Sequence, residues 1–393
     1  MTFSNRIKVI NPSSTMALTA KANEMRNNGE DIIVLTVGEP DFDTPSYIKD
    51  AALSALKSGQ TKYTSVDGTS EIKSAIQQKF SNDNNLSYEI DEIIVSNGCK
   101  QSIFNFLQVL IDDGDEVILP TPFWVSYIDM IKYAGGKPVF LDTSYDNNLN
   151  IVSEDLDKII TSKTKLLLIN SPNNPSGKCY SPESLKSICD VIENKKNIFF
   201  ASDDIYEHIR WSEDPFQNIL NVCPTLQDRT VIFNGVSKAF SMTGWRIGYA
   251  AGPNEIINQM KKLQSQSTSC PSAISQAAAT VALNNKSNDI QLMTKEYKKR
   301  HDYVVSELNN IEGVECKDTD GTFYIFPSFK ELVKNNSKFN NDKDLALFLL
   351  ETAKVAVVPG SAFGFEGHLR ISIAVDMQSL KEAMIRIKKS LQD

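Results

Sequence analysis

The chain of 393 residues is 41% apolar and 23% charged, the composition of a folded globular protein rather than a disordered or fibrous one. Its formal net charge of −8 argues against nucleic acid or an anionic membrane surface as partner, and its length suits one large domain with a smaller one. No stretch approaches the ~20 apolar residues of a membrane span, and the opening MTFSNRIKVINPSSTMAL has neither an apolar run nor a cleavage pattern, so a cytoplasmic, non-membrane protein is expected.

In chain order, β-rich runs are predicted at residues 92–95, 116–119, 138–141, 165–169, 198–201, 231–233 and 247–251. Several are continuously apolar, as strands buried on both faces must be. Helix-like segments separate them, among them 102–110 and 181–193, the second opening on Ser181-Pro182-Glu183 as a helix start should. This alternation predicts an α/β fold with a mostly parallel sheet between helices. After about residue 290 the pattern changes to a long helix (295–308), a strand (322–326), a helix and strand (344–358), a strand (369–374) and a last helix (378–391). That reads as a smaller α+β domain beyond an Asn-rich stretch at 284–288. The division expected is 1–45 as an N-terminal segment joined to the small domain, 46–285 as the large domain and 286–393 as the small one. The six cysteines are scattered with no C-x-x-C pair and there are three histidines, so reduced thiols and no metal site are expected.

Ligands of such a sheet gather at the C-terminal ends of its strands. No G-x-G-x-x-G follows any of them, which removes the best evidence for a nicotinamide dehydrogenase. Four segments do carry chemistry there. Ser96-Asn97-Gly98-Cys99-Lys100-Gln101 is a strand–turn–helix junction whose free backbone N–H groups suit a phosphate. Asn174, within Pro172-Asn173-Asn174-Pro175-Ser176-Gly177, can present an amide from a rigid loop. Asp203 stands at a strand end, where a carboxylate about 4 Å from a buried cation gains about 4 kcal/mol at an effective dielectric of ~20. That is enough to keep a pyridine nitrogen protonated, and Tyr206 nearby can donate to a phenolate. Lys238, among small and apolar neighbours after the 231–233 strand, is a candidate desolvated nucleophile. Arg246, eight residues on, suggests that its aldehyde bears a phosphate. Trp124 could stack on a flat ring, and Arg370 in a β-like run is either edge-exposed or aimed at a carboxylate.

Together with Gly38-Glu39-Pro40-Asp41-Phe42, Thr61-Lys62-Tyr63, Ser237-Lys238-Ala239-Phe240 and Met242-Thr243-Gly244-Trp245-Arg246-Ile247-Gly248, these segments resemble the class I aminotransferases of pyridoxal-phosphate fold type I over essentially the whole chain. Gly98-Cys99-Lys100-Gln101, Gln264-Ser265-Gln266-Ser267-Thr268 and Val355-Ala356-Val357-Val358-Pro359-Gly360 are most similar to the bacterial Iβ aspartate aminotransferases. The resemblance implies pyridoxal 5′-phosphate bound as a Schiff base on Lys238, which also shuttles the proton. It implies Asp203 at the pyridinium nitrogen, Tyr206 and Asn174 at the ring oxygen, and Trp124 stacked on the ring. It places the phosphate on Arg246 and the backbone at Gly98, Cys99 and Lys100, with Tyr63 reaching across a homodimer interface. Gly38, Trp124, Asn174 and Arg370 would then bind the substrate, Arg370 at its α-carboxylate, while Lys100, Ser14 and Thr15 take a distal carboxylate. The activity so implied is exchange of an amino group between L-aspartate and 2-oxoglutarate, with amino acids and 2-oxo acids as the small-molecule partners. The alternatives are an aminotransferase for aromatic amino acids, alanine or prephenate, and, from another class, a non-catalytic regulatory module that binds the same cofactor. Two departures from the subgroup stand out: Cys99 in place of a glycine, and Asn11 where many members have a lysine linked with prephenate use.

Overall fold

A computed structural model of the chain describes residues 3–10, 14–212 and 214–392, with backbone alone over 14–19. Seven strands form the central sheet: β1 (Ile93–Ser96), β2 (Glu116–Pro120), β3 (Lys137–Leu141), β4 (Thr164–Asn170), β5 (Phe199–Asp203), β6 (Thr230–Gly235) and β7 (Gly248–Ala251). Their order across the sheet is β1-β7-β6-β5-β4-β2-β3. The pairs from β6 to β3 are parallel, whereas β7 runs antiparallel to both β6 and β1.

The continuous apolar runs are explained by what each face meets. Successive residues of a strand point to opposite faces. Ile94, Val117, Leu119, Leu166, Leu168, Val231 and Phe233 enter one buried cluster. Their alternates Ile93, Val95, Ile118, Leu167, Ile169, Phe200 and Ile232 enter another. Helices cover both clusters, and their ends are set by local chemistry. Helix Pro182–Ile192 opens with the Ser181 side chain accepting from the Ser184 N–H and with Pro182 in its first turn. It then buries Leu185, Ile188, Cys189 and Ile192 along one stripe. Helix Ser70–Asn84 is capped by Thr69, which accepts from the Ile72 N–H, and stops at Asn85 in the left-handed region, φ 53°. Each fully buried Leu, Ile or Phe side chain stabilises the fold by about 1.5–3 kcal/mol. Truncating Phe233 at the centre of the sheet to Ala is expected to cost about 3–5 kcal/mol.

The C-terminal part builds a three-stranded antiparallel sheet from β8 (Tyr324–Ile325), β9 (Val358–Pro359) and β10 (Leu369–Ser372), in the order β9-β10-β8. Helices Asp289–Asn309 and Met377–Gln392 contribute Tyr297, Val304, Leu380 and Ile387 to the first cluster of the central sheet. The N-terminal strand Ile33–Val34 pairs in parallel with Val355–Ala356, so chain positions far apart in sequence are joined. The predicted strand at 322–326 shrinks to two residues. The segment predicted as one helix and strand at 344–358 divides into Asp342–Phe348, a wider turn Leu349–Ala353 and two short strands. The expectation of six reduced thiols is corrected at one pair: Cys189 and Cys223 form a disulfide. Although 34 residues apart, both are buried and their Cα atoms lie 6.0 Å from each other, within bridging reach. Among the described residues, no helix is long and apolar enough to cross a membrane.

Candidate active site

Strand direction decides where the polar residues meet. Strands β2, β4, β5 and β6 run in parallel, and β1, twice reversed through β7, runs the same way. Their C-terminal ends therefore share one edge, and that edge carries Gly98 after β1, Trp124 after β2, Asn174 after β4, Asp203 at the end of β5 and Lys238 after β6. Arg246 enters on the same edge because it precedes the oppositely directed β7. A cavity of about 690 Å³ opens there, lined by Lys100, Trp124, Asn174, Asp203, Tyr206, Lys238, Arg246 and Arg370, with Gly38 and Cys99 contributing to its wall.

The Lys238 amine donates to the Gly38 carbonyl at 2.6 Å and faces the rings of Tyr206 and Phe323 at 5.9 and 6.0 Å. Burial lowers its pKa to about 8, with the Arg246 and Arg370 charges acting in the same direction and Glu39 opposing them. An amine so placed has a substantial uncharged, nucleophilic fraction near neutrality. Asp203 is buried on the same edge and pushed up to about 6 by desolvation. This happens despite donation from the Tyr127 hydroxyl to Oδ2 at 2.5 Å and from the Ile205 N–H to Oδ1 at 3.3 Å. A buried carboxylate in that state is stabilised by an incoming cation.

Arg370 is 5% exposed, so the edge-exposed reading is set aside. Its guanidinium lies over Tyr324 and Phe363 at 4.5 and 5.1 Å and donates to Asn174 Oδ1 at 3.1 Å and to the Thr36 carbonyl at 2.7 Å. Its Nε is buried without a hydrogen-bond partner, and the guanidinium as a whole lines the cavity, where its charge suits an anion. Asn170 fixes the loop that carries Asn174: its Oδ1 accepts from the Asn174 N–H at 2.7 Å, and its Nδ2 donates to the Asp203 carbonyl at 2.8 Å.

The anion end is built by helix Cys99–Leu110, whose N-cap is Gly98 at φ 85°. Arg246 leans over it, donating to the Thr243 carbonyl at 2.8 Å and the Asn97 carbonyl at 3.4 Å. A Cβ at Gly98 would lie 2.8 Å from the Arg246 Cζ and closer still to Nη2, so the backbone and guanidinium approach as only glycine allows. Lys100 stands over the Trp124 ring at 4.7 Å, its pKa lowered by burial and then by Arg246. A phosphate is expected to bind at this helix start. A reactive amine, a buried acid and a stacking indole on the same edge fit a planar heteroaromatic aldehyde bearing that phosphate.

Tyr63 is 90% exposed and does not line the cavity within one chain. Ser14 and Thr15 open helix Ser14–Asn27, but their side chains lie outside the described part of the structure, as does Asn11 altogether. Residues to which the sequence reading gave no role of their own include Tyr127, Asn170, Thr243 and Tyr324. Tyr127 follows Trp124 by three positions at a helix start, a spacing that could have singled it out.

The family description "Aminotransferase class I and II" matches residues 30–387. The aspartate/prephenate aminotransferase of Nitrosomonas europaea is 48% identical over 396 residues, covering 100% of each chain. Among solved structures, the aspartate aminotransferase from Rhizobium meliloti superposes with a TM-score of 0.97 at 43% identity, covering 100% of this chain and 99% of that one. The aspartate aminotransferase from Thermus thermophilus with maleate superposes at 0.93 and 38% identity, covering 99% and 100%.

Proposed function

The chain belongs to the class I and II aminotransferases, a family that works with pyridoxal 5′-phosphate, and on that premise we propose that it exchanges an amino group between L-aspartate and 2-oxoglutarate, yielding oxaloacetate and L-glutamate. The cofactor, when bound, supplies an electron sink that lets a substrate lose its Cα proton. Everything else falls to the protein. Lys238, able to be neutral near pH 8, takes up and returns that proton. Asp203 would keep a proton on the ring nitrogen, Tyr206 and Asn174 would bond the ring oxygen, and Trp124 would cover the ring. The Arg246 side chain and the backbone amides at Gly98, Cys99 and Lys100 would hold the phosphate, joined by Tyr63 of a second copy in a homodimer, which leaves the Lys100 ammonium free for other work. The 90% exposure of Tyr63 in a single chain is consistent with such an interface. We also assign residues 46–285 to the large cofactor-binding domain, with 1–45 and 286–393 forming the smaller one.

The observation that carries the substrate class is a charge inventory. Among the described residues lining the cavity, the cationic side chains are Lys100, Lys238, Arg246 and Arg370, against the carboxylates of Glu39 and Asp203. With Lys238 at the reacting carbon, Arg246 on the phosphate and Arg370, aided by Gly38 and Asn174, on the α-carboxylate, Lys100 is left over. A second carboxylate on the substrate, shared with Ser14 and Thr15, would use it. A second reading, with prephenate as amino acceptor, is favoured by the relative from Nitrosomonas europaea that carries that name.

Both readings are tested by half-reaction spectra of the cofactor-loaded protein. L-Aspartate should bleach the yellow band and 2-oxoglutarate restore it, with little response to alanine or phenylalanine. Recovery with prephenate as well as 2-oxoglutarate would establish the second reading. An equal response to alanine would overturn the dicarboxylate assignment, and near-normal turnover by Lys238→Ala would overturn the whole mechanism.

A further inference from the structure

The geometry points to Tyr127, reinforced by the thiol of Cys99, as the positioning residue that sets how much negative charge Asp203 presents to the cofactor ring; this rests on the reading that Asp203 faces the ring nitrogen. Tyr127 is 1% exposed, and its hydroxyl donates to Asp203 Oδ2 at 2.5 Å. Oδ1 has other donors, the Ile205 N–H at 3.3 Å and the Cys99 Sγ at 3.9 Å. Burial and the Asp203 charge both push the Tyr127 phenol and the Cys99 thiol far up, so each keeps its proton at any working pH and acts on Asp203 as a neutral donor.

The consequence follows from charge. A donor on a carboxylate oxygen draws electron density from it and makes the acid less basic. Asp203 shared with Tyr127 therefore pulls less strongly on the proton of the ring nitrogen than an unshared carboxylate would. The same tyrosine ring packs edge-on against Trp124, centroids 5.2 Å apart. One residue thus supports both the carboxylate facing the ring nitrogen and the indole covering the ring. The thiol contact gives Cys99 a second role besides lending a backbone amide to the anion end.

Tyr127→Phe removes the hydroxyl and keeps the ring against Trp124, which separates charge from packing. In the cofactor-loaded enzyme its visible absorption should titrate with a midpoint at least about half a pH unit above wild type, because a more negative Asp203 stabilises protonated forms of the cofactor. The kcat with aspartate should fall about three- to tenfold with KM changed less than about twofold. Cys99→Ala should shift the midpoint in the same direction by less, and it decides the question alone if the first variant does not fold. Unmoved midpoints in the folded variants would overturn the proposal and leave Tyr127 as packing. A wild-type protein that gains no visible absorption with pyridoxal 5′-phosphate would instead overturn the cofactor reading beneath it.

Discussion

Replacing Gly98 with Ala tests how the anion end is built, because the consequences separate into two measurable parts. At φ 85° the backbone is strained for any residue with a Cβ, a penalty of about 1–3 kcal/mol on folding. The second part is steric: the new methyl would lie 2.8 Å from the Arg246 Cζ and nearer to Nη2, so the guanidinium must retreat by about 1 Å to reach ordinary contact. That retreat weakens its anchors on the Thr243 and Asn97 carbonyls and pulls it off the phosphate. With a charge-assisted bond contributing about 1.5–3 kcal/mol, losing it means about 10- to 150-fold in cofactor Kd. The assay is titration of the cofactor-free protein with pyridoxal 5′-phosphate, read by quenching of tryptophan fluorescence. Gly59→Ala is the control: at φ 78° with nothing within 4 Å of the added methyl, it carries the backbone strain without the clash. It should lose stability and keep its Kd. A folded Gly98→Ala protein whose Kd stays within about threefold of wild type would refute the reasoning.

Three further outcomes follow from the site and the core. Arg370→Lys keeps a charge but loses the fork that Asn174 and Thr36 hold in place, so kcat/KM for aspartate should fall about 100- to 1000-fold, and a loss under about fivefold would exclude Arg370 from carboxylate binding. The Lys238 pKa is lowered from 10.5 to about 8, so the unfolded chain binds that proton more tightly; the stability penalty is full below about pH 8 and fades as pH rises to 10.5. Cofactor-free Lys238→Met should therefore be more stable than wild type at pH 7 by on the order of 1–3 kcal/mol, discounted because the amine faces cavity water, and a gap in urea denaturation that does not narrow by pH 10 would contradict this. Thiol titration of the unreduced, denatured chain should count four cysteines and the reduced chain six, with reduction removing about 3–4 kcal/mol of stability; six in both would remove the Cys189–Cys223 bond.

The strands of the central sheet were readable within one or two residues because burial on both faces forces uninterrupted apolar runs, as in the 165–169 core of β4. Their neighbours were not readable. That β7 lies between β1 and β6 and runs backwards depends on pairing between residues more than 150 positions apart, such as Ile93 with Ala251. The two-residue strand at Ile33–Val34 is too short to show a period. In the site, Lys238, Asp203 and Asn174 could be singled out because polar residues directly after apolar strands are conspicuous. Tyr127 is hidden in a helix whose apolar stripe, Tyr127, Met130 and Ile131, looks like ordinary core. The cysteine pair escaped notice because a separation of 34 residues carries no signature until the fold closes it.

The pairing of Gly235 with Gly248, where β6 meets β7, has a consequence for how such a pocket can change over evolutionary time. Residues 236–247 form a closed span clasped at its base by the sheet, with the Val236 N–H also meeting the Ile247 carbonyl at 3.4 Å. Lys238 and Arg246 stand near opposite ends of that span, so the sheet works as a ruler between amine and anion. An insertion within the span lengthens a loop already closed, at small entropic penalty, but between Thr243 and Arg246 it would break the anchor of the guanidinium. A slip of β7 against β6 would displace Arg246 relative to Lys238 in one event. Rigidity is therefore expected in the clasp and at Thr243, whose carbonyl fixes Arg246 within the span.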